Sequence, residues 1–142
     1  MLKRFSLWIW ATIVIQLLTA FFHALSFFAK QEPTNETEKQ LIDITSNYKA
    51  DLGAGFHRTF VELFTAVSLC YTLICLFGAL VNWYFKRKNL DAGLWKGLLL
   101  IQMMIFGAMF VAMVVFAFLP PIICAGLIFI FASASYSTVK NK

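Results

Sequence analysis

The chain has 142 residues, of which 61% are apolar and 13% charged, with a mean hydropathy of +0.77. A soluble domain of this size has too much surface for its volume to hide that much apolar area, so lipid is the expected solvent. The formal net charge of +5 comes from short basic clusters beside apolar runs. That is the pattern of topology signals and headgroup contacts, so the bilayer is the expected partner and nucleic acid is not.

A basic start, Lys3 and Arg4, precedes an apolar run over 5–29. At 1.5 Å per residue that run reaches about 37 Å, enough to span with tilt. It is longer than the apolar core of a secretory signal, and Trp8 and Trp10 stand at its entrance as an interfacial belt. A retained first span is therefore expected.

The segment 30–56 is different in kind. It carries Glu32, Glu36, Glu38, Asp43 and Asp51 against Lys30, Lys39 and Lys49. Pro33 ends any helix leaving the membrane. Leu41, Ile44, Tyr48 and Leu52 then recur at spacings of 3, 4 and 4, one stripe of a helix. Asn35 with Glu38 makes a helix start, and Gly53 with Gly55 a stop. The spacing predicts a short amphipathic helix lying over the membrane surface and capping the spans. Asn35-Glu36-Thr37 is also a glycosylation sequon, meaningful only in a eukaryotic secretory lumen.

Further spans are predicted at 57–85, 95–119 and 122–138. Lys86, Arg87 and Lys88 stop the second, and Pro120 and Pro121 are expected to turn the chain between the last two. One side of the membrane then receives Lys3, Arg4, Lys86, Arg87, Lys88, Lys96, Lys140 and Lys142, eight of the twelve basic residues. The positive-inside rule places both termini in the cytoplasm and segment 30–56 outside. The expected architecture is an all-α, four-helix transmembrane bundle forming one domain over 1–142, with an external amphipathic helix between spans 1 and 2. No internal repeat suggests an inverted-repeat transporter.

Polar residues within the spans fall into seams. Thr12, Gln16, Thr19, His23 and Ser26 follow spacings of 4, 3, 4 and 3; Thr65, Ser68, Thr72, Cys75, Ala79 and Asn82 follow 3, 4, 3, 4 and 3. Small and hydroxylated side chains at this spacing allow close helix approach. Gln16, Thr19, Thr65, Ser68 and Thr72 are accordingly read as interhelical packing. Gln102 is read as an interhelical hydrogen bond. Gly107, Ala108 and Ala112, with Gly126, Ser133 and Ser137, are read as packing faces of the second hairpin. Cys70, Cys75 and Cys124 show neither zinc nor dithiol spacing and read as buried filler.

His23 and Glu62 stand apart, because ionisable groups within a span are costly and need a partner or water. Counted from the ends of their spans, the two fall at matching depth in the outer leaflet, with Arg58 one turn before Glu62. Two readings stay open. One is a structural cluster locking the hairpin. The other is an outer pocket of His23, Arg58 and Glu62, with room for His57 to join, that handles a small molecule, a proton or a redox group. Haem or a metal at His23 and His57 meets only the minimum ligand count, so no cofactor is expected, and no catalytic residue is assigned.

The run Gly55-Phe56-His57-Arg58-Thr59 opening a span that continues Glu62-Leu63-Phe64-Thr65-Ala66-Val67-Ser68-Leu69, a preceding span with Phe22-His23, and Leu119-Pro120-Pro121 before the last span together form a pattern. It resembles a family of small four-span bacterial inner-membrane proteins without an assigned activity. Glu62 stands where that pattern has Asp, and Phe64 where it has Tyr. The resemblance implies the same bundle and points to His23, Arg58, Thr59, Glu62, Ser68 and Pro121. The expected role is a non-enzymatic structural or accessory component of an inner-membrane assembly, with other membrane subunits or further copies of the chain as partners.

Overall fold

The computed structural model describes residues 2–28, 32–88 and 90–139. In chain order these form α1 (Leu2–Leu25) with a 3-10 turn at Ser26–Phe28, α2 (Glu36–Asn47), β1 (Lys49–Asp51), β2 (His57–Thr59), α3 (Phe60–Arg87), α4 (Ala92–Phe116) and α5 (Leu119–Thr138). Four stretches, Arg4–Phe28, Phe60–Arg87, Ala92–Phe116 and Leu119–Thr138, are long and apolar enough to cross a bilayer. The all-α, four-span class expected from the sequence is what the fold shows. The expected end of the first span at Ala29, and Lys30, Lys140 and Lys142, lie outside the described residues.

Several boundaries differ from the expected ones by two or three residues, and at two places the local reason is clear. The second span begins at Phe60 rather than His57, because His57–Thr59 pairs antiparallel with Lys49–Asp51 in a small hairpin. Gly53, Ala54 and Gly55 turn that hairpin with φ of +83°, +50° and +80°. Two of these three left-handed positions are glycine, which lacks the Cβ that makes the region costly. The glycines therefore close a hairpin instead of ending α2, which stops at Asn47. The prolines also act differently. α4 ends at Phe116, and Pro120 and Pro121 lie in the first turn of α5. Helix N-terminal N–H groups have no intrahelical acceptor, so proline there loses nothing and starts a helix.

The chain divides into two compact units, residues 1–19 with 74–142 and residues 20–73. The core of the first holds Ile9, Ile13, Ala79, Trp95, Leu99 and Val139, with Phe5 and Phe85 against it. Phe5 meets Trp95 edge-on, with ring centroids 5.2 Å apart. α4 and α5 exchange glycines for rings. A Cβ on Gly107 would stand 3.1 Å from the Phe129 ring, and one on Gly126 would stand 3.1 Å from the Phe110 ring. The absent Cβ is what admits each ring. Of the other residues expected in this seam, Ser133 is half-buried, whereas Ala108, Ala112 and Ser137 are exposed. Ser133 and Ser137 bond back to their own helix, at Phe129 O and Ser133 O.

In the second unit, Asn35 caps α2 as expected, its side chain accepting from the Glu38 N–H at 2.8 Å. The half-buried residues of α2 are Ile42 and Thr45. The expected apolar stripe is uncovered: Leu41, Ile44 and Tyr48 are 61%, 57% and 61% exposed.

Candidate functional site

The buried polar centre of the first unit is an amide cluster drawn from three spans. Gln16 on α1 and Asn82 on α3 are fully buried, and Gln102 on α4 is nearly so. Gln102 Nε2 donates to Asn82 Oδ1 at 2.8 Å. Asn82 Nδ2 donates to Gln102 Oε1 at 2.9 Å and to Gln16 Oε1 at 3.1 Å. Gln16 Nε2 donates to Gln102 Oε1 at 3.2 Å. Each side chain thus gives and receives, and no amide is left to hydrocarbon, where an unmade bond costs far more than a made one gains. Gly78 makes room for the cluster, since a Cβ there would come within 2.6 Å of Gln16 Nε2. Thr12 adds a link to α5, its hydroxyl 3.2 Å from Ser135 Oγ while it also donates to Trp8 O.

The residues that the sequence suggested as a pocket are placed differently. Glu62 is exposed and serves the start of α3. The Thr59 N–H donates to Glu62 Oε2 at 2.8 Å, and the Glu62 N–H donates to Thr59 Oγ1 at 3.2 Å. This reciprocal pair is a capping box, which satisfies two N–H groups that a helix start leaves without acceptors. The carboxylate needs no histidine to account for its position.

Arg58 is not a helical neighbour of Glu62. It stands on β2 opposite Ala50, and His57 stands opposite Asp51. The helical four-residue geometry is absent because the helix has not yet begun at Arg58, although the Arg58 charge still acts on the Glu62 carboxylate from β2. Among the described residues the one ion pair within 4.0 Å is Lys39–Glu36.

His23 is half-buried and meets the middle of α3. Its Nδ1 lies 3.3 Å from Thr72 Oγ1, and its ring is 4.9 Å from that of Tyr71. In an antiparallel helix pair, a step forward on one helix is a step back on the other. Glu62 is ten residues before Thr72, about 15 Å along the axis, so it faces positions beyond the end of α1 at Leu25. Matching depth assumed that the second span enters the membrane at His57. The hairpin removes that premise, and the structure does not bring His23 and Glu62 together. Among the described residues no group of three or more His, Cys, Asp or Glu side chains is placed to hold a metal ion.

The packing residues divide as well. Gln16, Thr19 and Thr72 are buried, and Ser68 is half-buried. Thr65 is exposed, and its hydroxyl donates back to Val61 O at 2.8 Å, a local solution open to threonine in any helix. Of the cysteines, only Cys75 is fully buried, and Cys70 is exposed. Sequence reasoning identified Gln16, Asn82 and Gln102 singly but not as one cluster. The signal available was one carboxamide in each of three otherwise apolar runs.

No family model, curated protein or solved structure matches this chain.

Proposed function

We propose that this protein is a non-enzymatic, multi-pass component of a larger membrane assembly, with a structural or accessory role. The observation that supports it is how polar and apolar groups are used. The buried carboxamides within the spans bond to one another, whereas Leu41 and Ile44 of α2, and Tyr48 at its end, are uncovered. A locked set of spans carrying an open apolar face suits an element that is held by, or holds, another membrane subunit or a further copy of the chain. A photo-crosslinking residue at Ile44 in native membranes tests this. A discrete protein adduct supports the reading, and adducts with lipid alone overturn it.

The membrane is taken to be a bacterial inner membrane with both termini cytoplasmic. Arg4, Lys86, Arg87, Lys88 and Lys96 flank one set of helix ends, while α2 is acidic in its first turn; this asymmetry supports the orientation. A fluorescent protein fused after Lys142 should fold and fluoresce, and a periplasmic phosphatase fused there should stay inactive. The ligand-, proton- or redox-handling alternative needs His23 and Glu62 in one pocket, and their separate partners do not favour it.

A further inference from the structure

The end of α3 carries cations in an unusual setting. Side chains on a helix tilt toward its N-terminus, and on α3 that direction leads back into the span. The Arg87 guanidinium lies over the Trp83 ring, 5.1 Å from its centroid, and Lys88 Nζ lies over Tyr84 at 5.8 Å. The two cation–aromatic pairs run side by side, four residues apart within each, and together they line an open recess. Neither cation has an ion-pair partner among the described residues. The nearest acidic residue in sequence, Asp91, is occupied at the start of α4, where its Oδ1 accepts from the Gly93 and Leu94 N–H groups at 2.8 and 3.1 Å.

We propose that this recess binds one anionic phospholipid, its phosphate between Arg87 and Lys88 and its first acyl carbons against Trp83 and Tyr84. Tryptophan and tyrosine settle where headgroups meet hydrocarbon. Drawing the two charges back over those rings places them at the height of lipid phosphates rather than in bulk water. Arginine offers a planar fork to phosphate oxygens, and lysine a compact charge beside it. The aromatic walls match the upper acyl chain, which selects a lipid over a free anion. Proximity to an anionic bilayer alone would favour every cation at this end of the helices equally. The recess singles out two of them. The inference goes beyond the assembly role and does not depend on it.

The test is native mass spectrometry of the full chain, released from detergent after incubation with equimolar phosphatidylglycerol and phosphatidylcholine. We expect a single phosphatidylglycerol adduct to dominate and to persist when inorganic phosphate is present in large excess. At about fivefold per interfacial cation, R87Q/K88Q should weaken its apparent affinity, read from a lipid titration, by roughly 25-fold. W83A should lower it with the charge unchanged. K96Q, which alters a nearby cation outside the recess, should leave it as it was. Equal retention of both lipids, displacement by inorganic phosphate, an unaffected W83A, or a K96Q loss matching that of R87Q/K88Q would each overturn the proposal. Thermal melts of all variants identify any that fail to fold; K88Q alone, at an exposed position past the end of α3, then carries the test with an expected fivefold loss.

Discussion

Asn82 and Gln102 bind each other in both directions: each carboxamide donates to the oxygen of the other, at 2.9 and 2.8 Å. This reciprocal pair joins α3 to α4, and Gln16 closes it onto α1. Interhelical hydrogen bonds in membranes contribute modestly when made, on the order of 0.6 kcal/mol each. Removing Asn82 costs more, because Gln102 Nε2 and Gln16 Oε1 each lose a buried hydrogen-bond partner. Asn82→Leu should therefore destabilise the protein by about 1–3 kcal/mol in a detergent melt. The double variant Asn82→Leu/Gln102→Leu should lose less than the sum of the two single losses. Strict additivity in that cycle would show that the pair does not act as a unit.

Gly78 is the close-approach position on which the same cluster depends. The atom nearest a new Cβ is the end of a flexible side chain, which ordinarily swings away at little cost. Here Gln16 Nε2 is tied to Gln102, so swinging away breaks a buried bond. Gly78→Ala should cost about 1–3 kcal/mol, and far less in a Gln16→Ala background. Gly107→Ala and Gly126→Ala should be milder, since each requires only a few tenths of an ångström from a phenyl ring. Equal penalties at all three glycines, read by thermal melts, would count against the role given to Gln16.

At the start of α3, Glu62→Gln keeps an acceptor for the Thr59 N–H, whereas Glu62→Ala removes it. Glu62→Ala should cost about 1 kcal/mol, in the range of lost helix caps, and Glu62→Gln much less. Amide hydrogen exchange at Thr59 through Leu63 reads the difference directly. A conservative Gln that proves as damaging as Ala would restore a role for the charge itself.

Glu38 gives the segment around α2 a pH response. Its carboxylate accepts from Thr34 Oγ1 and from the Thr34 N–H, both at 2.7 Å. These bonds, the side-chain one foremost, hold its pKa below the ordinary 4.5. The unfolded state therefore binds the proton more readily than the folded one, and folding gains stability as pH rises. That contribution is full above 4.5 and is lost as pH falls through the lowered folded value. Helicity at Glu36–Asn47 should fade over that acid range, and Glu38→Gln should flatten the dependence. Site-resolved NMR of α2 amides during an acid titration decides it; an unchanged titration in Glu38→Gln would assign the response to another group.

Much of this architecture was legible without coordinates, because a bilayer imposes a one-dimensional rule. Each span needs about twenty apolar residues with internally satisfied backbone, and four such runs stand out in the chain. The Asn35 cap was legible because capping is local chemistry between near neighbours. Failures came where one local pattern had two physical solutions. Gly53 and Gly55 suit a helix stop and a hairpin turn alike, and only pairing between Lys49–Asp51 and His57–Thr59 chose the turn. Pro120 and Pro121 can break a helix or begin one, and the end of α4 at Phe116 left them at a beginning.

Composition and periodicity by themselves determined that the chain has four helices long and apolar enough to cross a membrane, and that a polar helix separates the first two, though not where each span begins and ends. These follow from transfer free energies and helix geometry, which act residue by residue. Tertiary structure alone decided register. His23 meets Thr72 and not Glu62, while Gln16 meets Asn82 and Gln102. The physical reason is that sliding an antiparallel pair of apolar helices changes little in their transfer energy. The register is chosen by the few polar groups that must find each other and by the glycine that lets them approach.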